Sequence, residues 1–106
     1  MRNDITEDRK KINNACDVIG NFDGWTGAIT SNVGFDVFFK PNNTVKKALL
    51  KITEFGMVEG LNVGVRCTTF DGADVVSFSG SMPVFNKTQL ETVKEIMNDA
   101  GMKPRA

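Results

Sequence analysis

Apolar residues recur at helical spacing in three separate stretches of the chain. The first predicted helix covers about residues 5–19, the second about 44–55 and the third about 87–100. In each stretch the apolar residues recur at intervals of one or two helical turns, and polar or charged residues occupy most of the other positions. This is the pattern of a helix that buries one side and exposes the other. We therefore expect three amphipathic helices.

Residues that favour helix ends flank these stretches. Asp4 and Glu7 have the spacing of a capping box before the first helix, as do Asn86 and Gln89 before the third. The tail, residues 102–106, is expected to be frayed. Glycines are expected to end the three helices, at Gly20, Gly56 and Gly101.

Between the helices the apolar period changes to two, which predicts four strands. Residues 25–29 and 33–39 form one predicted hairpin around the turn 30–32, and residues 61–67 and 74–79 form a second. Asp71-Gly72 in the second hairpin favours a two-residue type I′ turn, which needs positive φ at both central positions. The cross-strand pairs predicted from this turn are Cys67 with Val76 and Val65 with Phe78.

The resulting order, α-β-β-α-β-β-α, predicts an α+β fold with a four-stranded, mainly antiparallel sheet and three helices. The 106 residues fit a single domain over 1–106. If all three helices cover one face of the sheet, the other face is expected to carry aromatic, apolar and cationic side chains. Alternatively, one helix covers this face and Phe38 is part of the core. The face residues are Phe38, Arg66, Thr68, Phe70 and Val75.

Composition narrows the class of partner. Apolar residues make up 41% and charged residues 25%, close to ordinary globular values, and 13 basic residues balance 13 acidic ones. Proteins that bind duplex nucleic acid usually carry a cationic surplus, which this chain as a whole lacks. The polar N-terminus has no signal-peptide pattern, and the apolar runs are too short to span a membrane. We expect a cytoplasmic protein with no membrane partner, and the zero net charge leaves a homodimer open.

The residue types argue against catalysis. The chain has no histidine and no tyrosine, and its acidic residues are too scattered for a metal cage. Cys16 and Cys67 match no zinc or redox spacing and are expected to be buried free thiols, with a disulfide left open. The serines of residues 77–81 lack a Gly-x-Ser-x-Gly elbow and a histidine base. We predict no catalytic residue, no metal and no cofactor.

A local excess of cations surrounds the second predicted helix. No acidic residue interrupts it, and lysines near a helix start do not favour the helix dipole. These cations could meet phosphates or an acidic protein surface, or they could simply form a solvated helix face. The four residues are Lys40, Lys46, Lys47 and Lys51.

One short segment carries a resemblance to a known family. Residues 51–57, KITEFGM, close a predicted helix that precedes a β-hairpin and a final helix. This stretch resembles the C-terminal double-wing DNA-binding domain of MotA-type phage transcription factors, and the element order is similar over the second half of the chain. The resemblance implies DNA contact through the sheet.

From the residues themselves we predict a small, non-catalytic intracellular domain that binds a partner protein, as an inhibitor or regulator. The predicted contact surface is the sheet face or the surface of the second helix. The alternative is a regulatory domain that binds nucleic acid with the same sheet face and the lysines of the second helix.

Overall fold

The computed structural model describes residues 5–105 and has the predicted order of elements. Asp4, predicted to begin a capping box, lies outside the described residues. Within them, no helix combines the length and the hydrophobicity needed to cross a membrane. The elements are α1 (Ile5–Ile19), β1 (Trp25–Thr30), β2 (Gly34–Phe39), α2 (Asn43–Val58), β3 (Asn62–Phe70), β4 (Ala73–Ser81) and α3 (Lys87–Asp99).

The four strands form one antiparallel sheet in the order β1-β2-β4-β3. Two hairpins, β1–β2 and β3–β4, are joined through pairing of β2 with β4. The predicted α+β architecture is therefore confirmed. This order puts β2 and β4 in the centre, with β1 and β3 as edge strands.

The β3–β4 hairpin has the predicted turn and register. Asp71 and Gly72 have φ values of +57° and +81°, so both central positions adopt the left-handed conformation that a type I′ turn requires. The structure pairs Cys67 with Val76 and Val65 with Phe78, as predicted.

All three helices pack on one face of the sheet. Alternate residues of β2 and β4 enter the core between sheet and helices, because side chains of a strand point to opposite faces in turn. The helices contribute their apolar stripes, and the capping box of Asn86 and Gln89 is present at the start of α3. The large fully buried residues include Ile12, Ile19, Val37, Phe39, Leu49, Ile52, Val76, Phe78, Phe85, Val93 and Met97.

Helix α2 is longer than predicted. Gly56 does not end it but lies buried within it, and the helix continues to Val58 with Glu59 as its C-cap. A Cβ atom at Gly56 would lie 2.6 Å from Cγ2 of Val63 and 3.2 Å from Cζ of Phe85. The glycine therefore serves close packing of α2 on the neighbouring strand.

Two further expectations are wrong. Cys67, on the edge strand β3, is exposed although its cross-strand partner Val76 is buried, whereas Cys16 is buried; both thiols are free. The tail is docked rather than frayed: Met102 is buried and Pro104 forms a β-bridge with Phe22. Ala106 lies outside the described part.

Candidate functional site

The sheet has one face that no helix of residues 5–105 covers, which we call the open face. On β3 and β4, Arg66 pairs with Ser77 and Thr68 pairs with Val75, and on β2 Phe38 pairs with Ser77. Their side chains point away from the core that the helices share. The five residues predicted to share a sheet face do so.

Two of the five residues are nevertheless buried on this face. Phe38 and Val75 are each only 4% exposed, although no helix lies over them. Phe70 reaches across β4 and stacks on Phe38, with 4.3 Å between the ring centroids. Phe70, which is 37% exposed, thus provides the aromatic surface, and Phe38 lies beneath it. Arg66 is exposed and Thr68 is half-buried.

At the other end of the open face lies a groove of about 530 Å³. Its floor is low because Gly64 faces it, and a Cβ atom there would meet nothing within 4 Å. Register brings Gly64 opposite Ser79, and Ser79 opposite Asp36. The residues that surround this groove include Ile29, Gly34, Asp36, Asn62, Gly64, Arg66, Ser79 and Ser81.

Hydrogen bonds fix the polar side chains of the groove. Ser79 Oγ donates a hydrogen bond to Oδ1 of Asp36, and Asn62 Nδ2 donates to Ser81 Oγ at 2.8 Å. The half-buried Asp36 has no cationic side chain within ion-pair distance among residues 5–105. The groove therefore holds a carboxylate that the described part of the chain does not neutralise.

The groove contains a hydroxyl–carboxylate pair, Ser79 with Asp36. A serine hydroxyl that donates to a carboxylate lacks the imidazole base of the usual nucleophilic triad, and the chain contains no histidine. No cluster of three or more Cys, Asp or Glu side chains in the described residues could hold a metal ion. The groove offers a carboxylate, serine hydroxyls, an amide and a guanidinium group as hydrogen-bonding partners.

None of the four predicted lysines lines the groove. Lys40 is exposed where the chain leaves β2, and Lys46, Lys47 and Lys51 are exposed on α2. Helix α2 turns its buried residues towards the sheet, so its lysines face solvent on the side of the molecule opposite the open face. The sheet face and the lysines of α2 therefore do not form one continuous surface.

A second cavity, of about 550 Å³, lies between the end of α1, β1 and the C-terminal tail. Cys16 and Trp25 line it, and the guanidinium carbon of Arg105 lies 4.2 Å from the Trp25 ring centroid. Burial, followed by the charge of Asp17, raises the pKa of the Cys16 thiol. A higher pKa disfavours the thiolate, so Cys16 is poorly suited to act as a nucleophile.

Sequence reasoning missed the groove residues Asp36, Ser79 and Asn62. Alternation within β2 and β4 places Asp36 and Ser79 on the face away from the core, which the pattern indicates. Their contact depends on the pairing of β2 with β4, two strands that no short turn connects. No local signal in the sequence defines that register.

Comparisons with models of protein families, with curated proteins and with solved structures found no match to this chain.

Proposed function

We propose that this protein is a non-catalytic binding domain that engages a partner protein through its open face. The observation that carries the proposal is a sheet face that no described helix covers, on which a groove, exposed apolar side chains and charges without an ion-pair partner among residues 5–105 occur together. The apolar side chains are Ile29, which is 48% exposed, and Phe70. Arg66 and Asp36 supply the charges.

This mixture suits a protein more than a nucleic acid. Interfaces between proteins combine apolar anchors with polar groups, and arginine and aromatic residues are enriched among their strongest contacts. A phosphate backbone would instead meet the carboxylate of Asp36, which lines the groove together with the cation of Arg66. Repulsion between carboxylate and phosphate weakens that alternative for this face.

The test compares charge reversal on the two sides of the molecule. Tagged wild-type protein is used to isolate a partner from a lysate of cells in which the protein naturally occurs. The purified partner is then titrated against variants of the protein. Arg66→Glu should weaken binding at least about tenfold, which corresponds to about 1.4 kcal/mol. Lys47→Glu is the matched control, because it makes the same change of charge on the exposed side of α2.

Two outcomes would contradict the proposal. One is that no protein remains bound after washing. The other is that Lys47→Glu abolishes binding while Arg66→Glu leaves the dissociation constant unchanged, which would move the contact surface to α2.

A second candidate function is nucleic-acid binding by the lysines of α2. It is favoured by three exposed lysines, Lys46, Lys47 and Lys51, none of which forms an ion pair with another described residue. Titration of labelled DNA and RNA at two salt concentrations tests it. Affinity that falls as salt rises, and that Lys46→Gln with Lys47→Gln removes, would support this candidate. Binding that salt does not affect would reject it.

A further inference from the structure

We propose that the groove receives a lysine or arginine side chain of the partner protein, whose charged head group pairs with Asp36. This inference rests on the proposed function and names the chemistry that the open face recognises. Three features of the groove carry it: an unneutralised carboxylate, free space beside that carboxylate, and an exposed aliphatic side chain next to it.

The carboxylate is held in place but is not neutralised. Asp36 is half-buried, and Ser79 Oγ donates a hydrogen bond to its Oδ1 atom. A carboxylate has about four acceptor sites on its two oxygens, so further donors can bind it. Removing a charged group from water is unfavourable unless a partner compensates, and no described cation does so here. A cationic donor from outside would supply that compensation.

Space for such a donor lies at Gly64. This residue occupies the open-face position on β3 that is opposite Ser79, one strand further from Asp36. A side chain there would fill the floor of the groove, and its absence leaves room for a head group. The volume of the groove, about 530 Å³, lies within the range of small-molecule binding sites.

An aliphatic contact favours a long basic side chain over a small cation. Ile29 is the cross-strand partner of Asp36 on β1, and it is 48% exposed. Lysine and arginine place an apolar stem against such a surface while the charged end reaches a polar group. A simple metal ion would gain nothing from Ile29. A single carboxylate would also give it too few ligands, because hard cations need several oxygen ligands.

Arg66 determines which kind of residue should lie beside the inserted lysine or arginine of the partner. Its exposed side chain lines the groove two residues along β3 from Gly64, on the same side of the strand. Its repulsion of an incoming cation is screened over about 8 Å at physiological salt. An acidic residue close to the inserted lysine or arginine would pair with Arg66, so a partner surface with adjacent basic and acidic residues fits this groove best.

The experiment uses the full chain and small probes. Nα-acetyl-arginine amide and Nα-acetyl-lysine amide are titrated into 15N-labelled protein, with uncharged Nα-acetyl-norleucine amide for comparison. The backbone amide signals of Gly34 and Gly64 report on the groove. We expect saturable shifts with both cationic probes, with dissociation constants on the order of 10 mM for fragments of this size. The norleucine probe should give none.

Asp36→Asn should abolish the saturable shifts, because it removes the charge and keeps an acceptor for Ser79. Asp74→Asn is the control, since it removes an exposed carboxylate outside the groove and should leave the titration unchanged. Equal shifts with norleucine, a titration that does not saturate, or an Asp36→Asn variant that binds as the wild type does would each overturn the inference.

The same variants separate this inference from the proposed function. In one outcome, the partner protein loses affinity for the Arg66→Glu variant but binds the Asp36→Asn variant with the wild-type affinity. In that case the open face binds the partner, and the proposal that Asp36 pairs with a cation is wrong. If neither substitution matters, the proposed function itself fails.

Discussion

Ser77 has an unusual environment for a polar residue. It is fully buried on the open face, between Phe38 and Arg66 in register, and its hydroxyl has no hydrogen-bond partner among the described residues. A buried polar group without a partner costs about 1–3 kcal/mol. We expect Ser77→Ala to raise the free energy of unfolding by about 1 kcal/mol, measured by urea denaturation.

The matched control is Ser79→Ala, two residues along the same strand and on the same face. Its hydroxyl donates to Asp36, so its removal should lower the free energy of unfolding by about 1 kcal/mol. If both substitutions destabilise the protein to the same extent, Ser77 has a partner in solution and its buried hydroxyl is satisfied.

Helix α2 provides a prediction at the scale of an element. A glycine inside a helix normally makes the protein less stable than an alanine at the same position would, by about 0.5–1 kcal/mol. At Gly56 a methyl group would instead collide with Val63 and crowd Phe85. We therefore expect Gly56→Ala to lower the free energy of unfolding by about 1–3 kcal/mol, as overpacking of a core does.

A double-mutant cycle with Val63→Ala tests this cause. Removal of the Val63 methyls should make Gly56→Ala less destabilising than it is in the wild-type background, so the two effects should not add. Additive effects would show that the cost at Gly56 does not arise from contact with β3.

The elements also indicate how far the sequence can predict this protein. The register of the β3–β4 hairpin was predictable because Asp71 and Gly72 define it within a few residues. The end of α2 was not, because the close packing at Gly56 involves residues on β3 and beyond β4. The groove was missed because Asp36 and Ser79 are 43 residues apart.

At the scale of the whole molecule, the two candidate contact surfaces lie on different sides. The lysines of α2 face solvent on one side, and the groove with Asp36 lies on the other. Alternation along the strands predicted which residues share the open face. It did not predict that Phe70 would cover Phe38, because that contact crosses an intervening strand.

The C-terminal tail contacts a segment near the other end of the chain. The backbone of Lys103 and of Arg105 hydrogen-bonds to the segment after α1, and Arg105 lies over Trp25. We expect Arg105→Ala to lower the free energy of unfolding by about 0.5–1 kcal/mol, the usual range for an exposed cation–π contact. It should also shift Trp25 fluorescence to longer wavelength, because the ring becomes more hydrated. Trp25 is the only tryptophan, so the signal is specific.

Lys103→Ala is the matched control for this contact. Its side chain is exposed while its backbone carbonyl accepts from Asp23, so the substitution keeps the tail docked and should change neither stability nor emission. Deletion of residues 103–106 removes the backbone contacts as well, and should have a larger effect than Arg105→Ala on both quantities. If the deletion leaves Trp25 emission unchanged, the tail does not dock on the ring in solution.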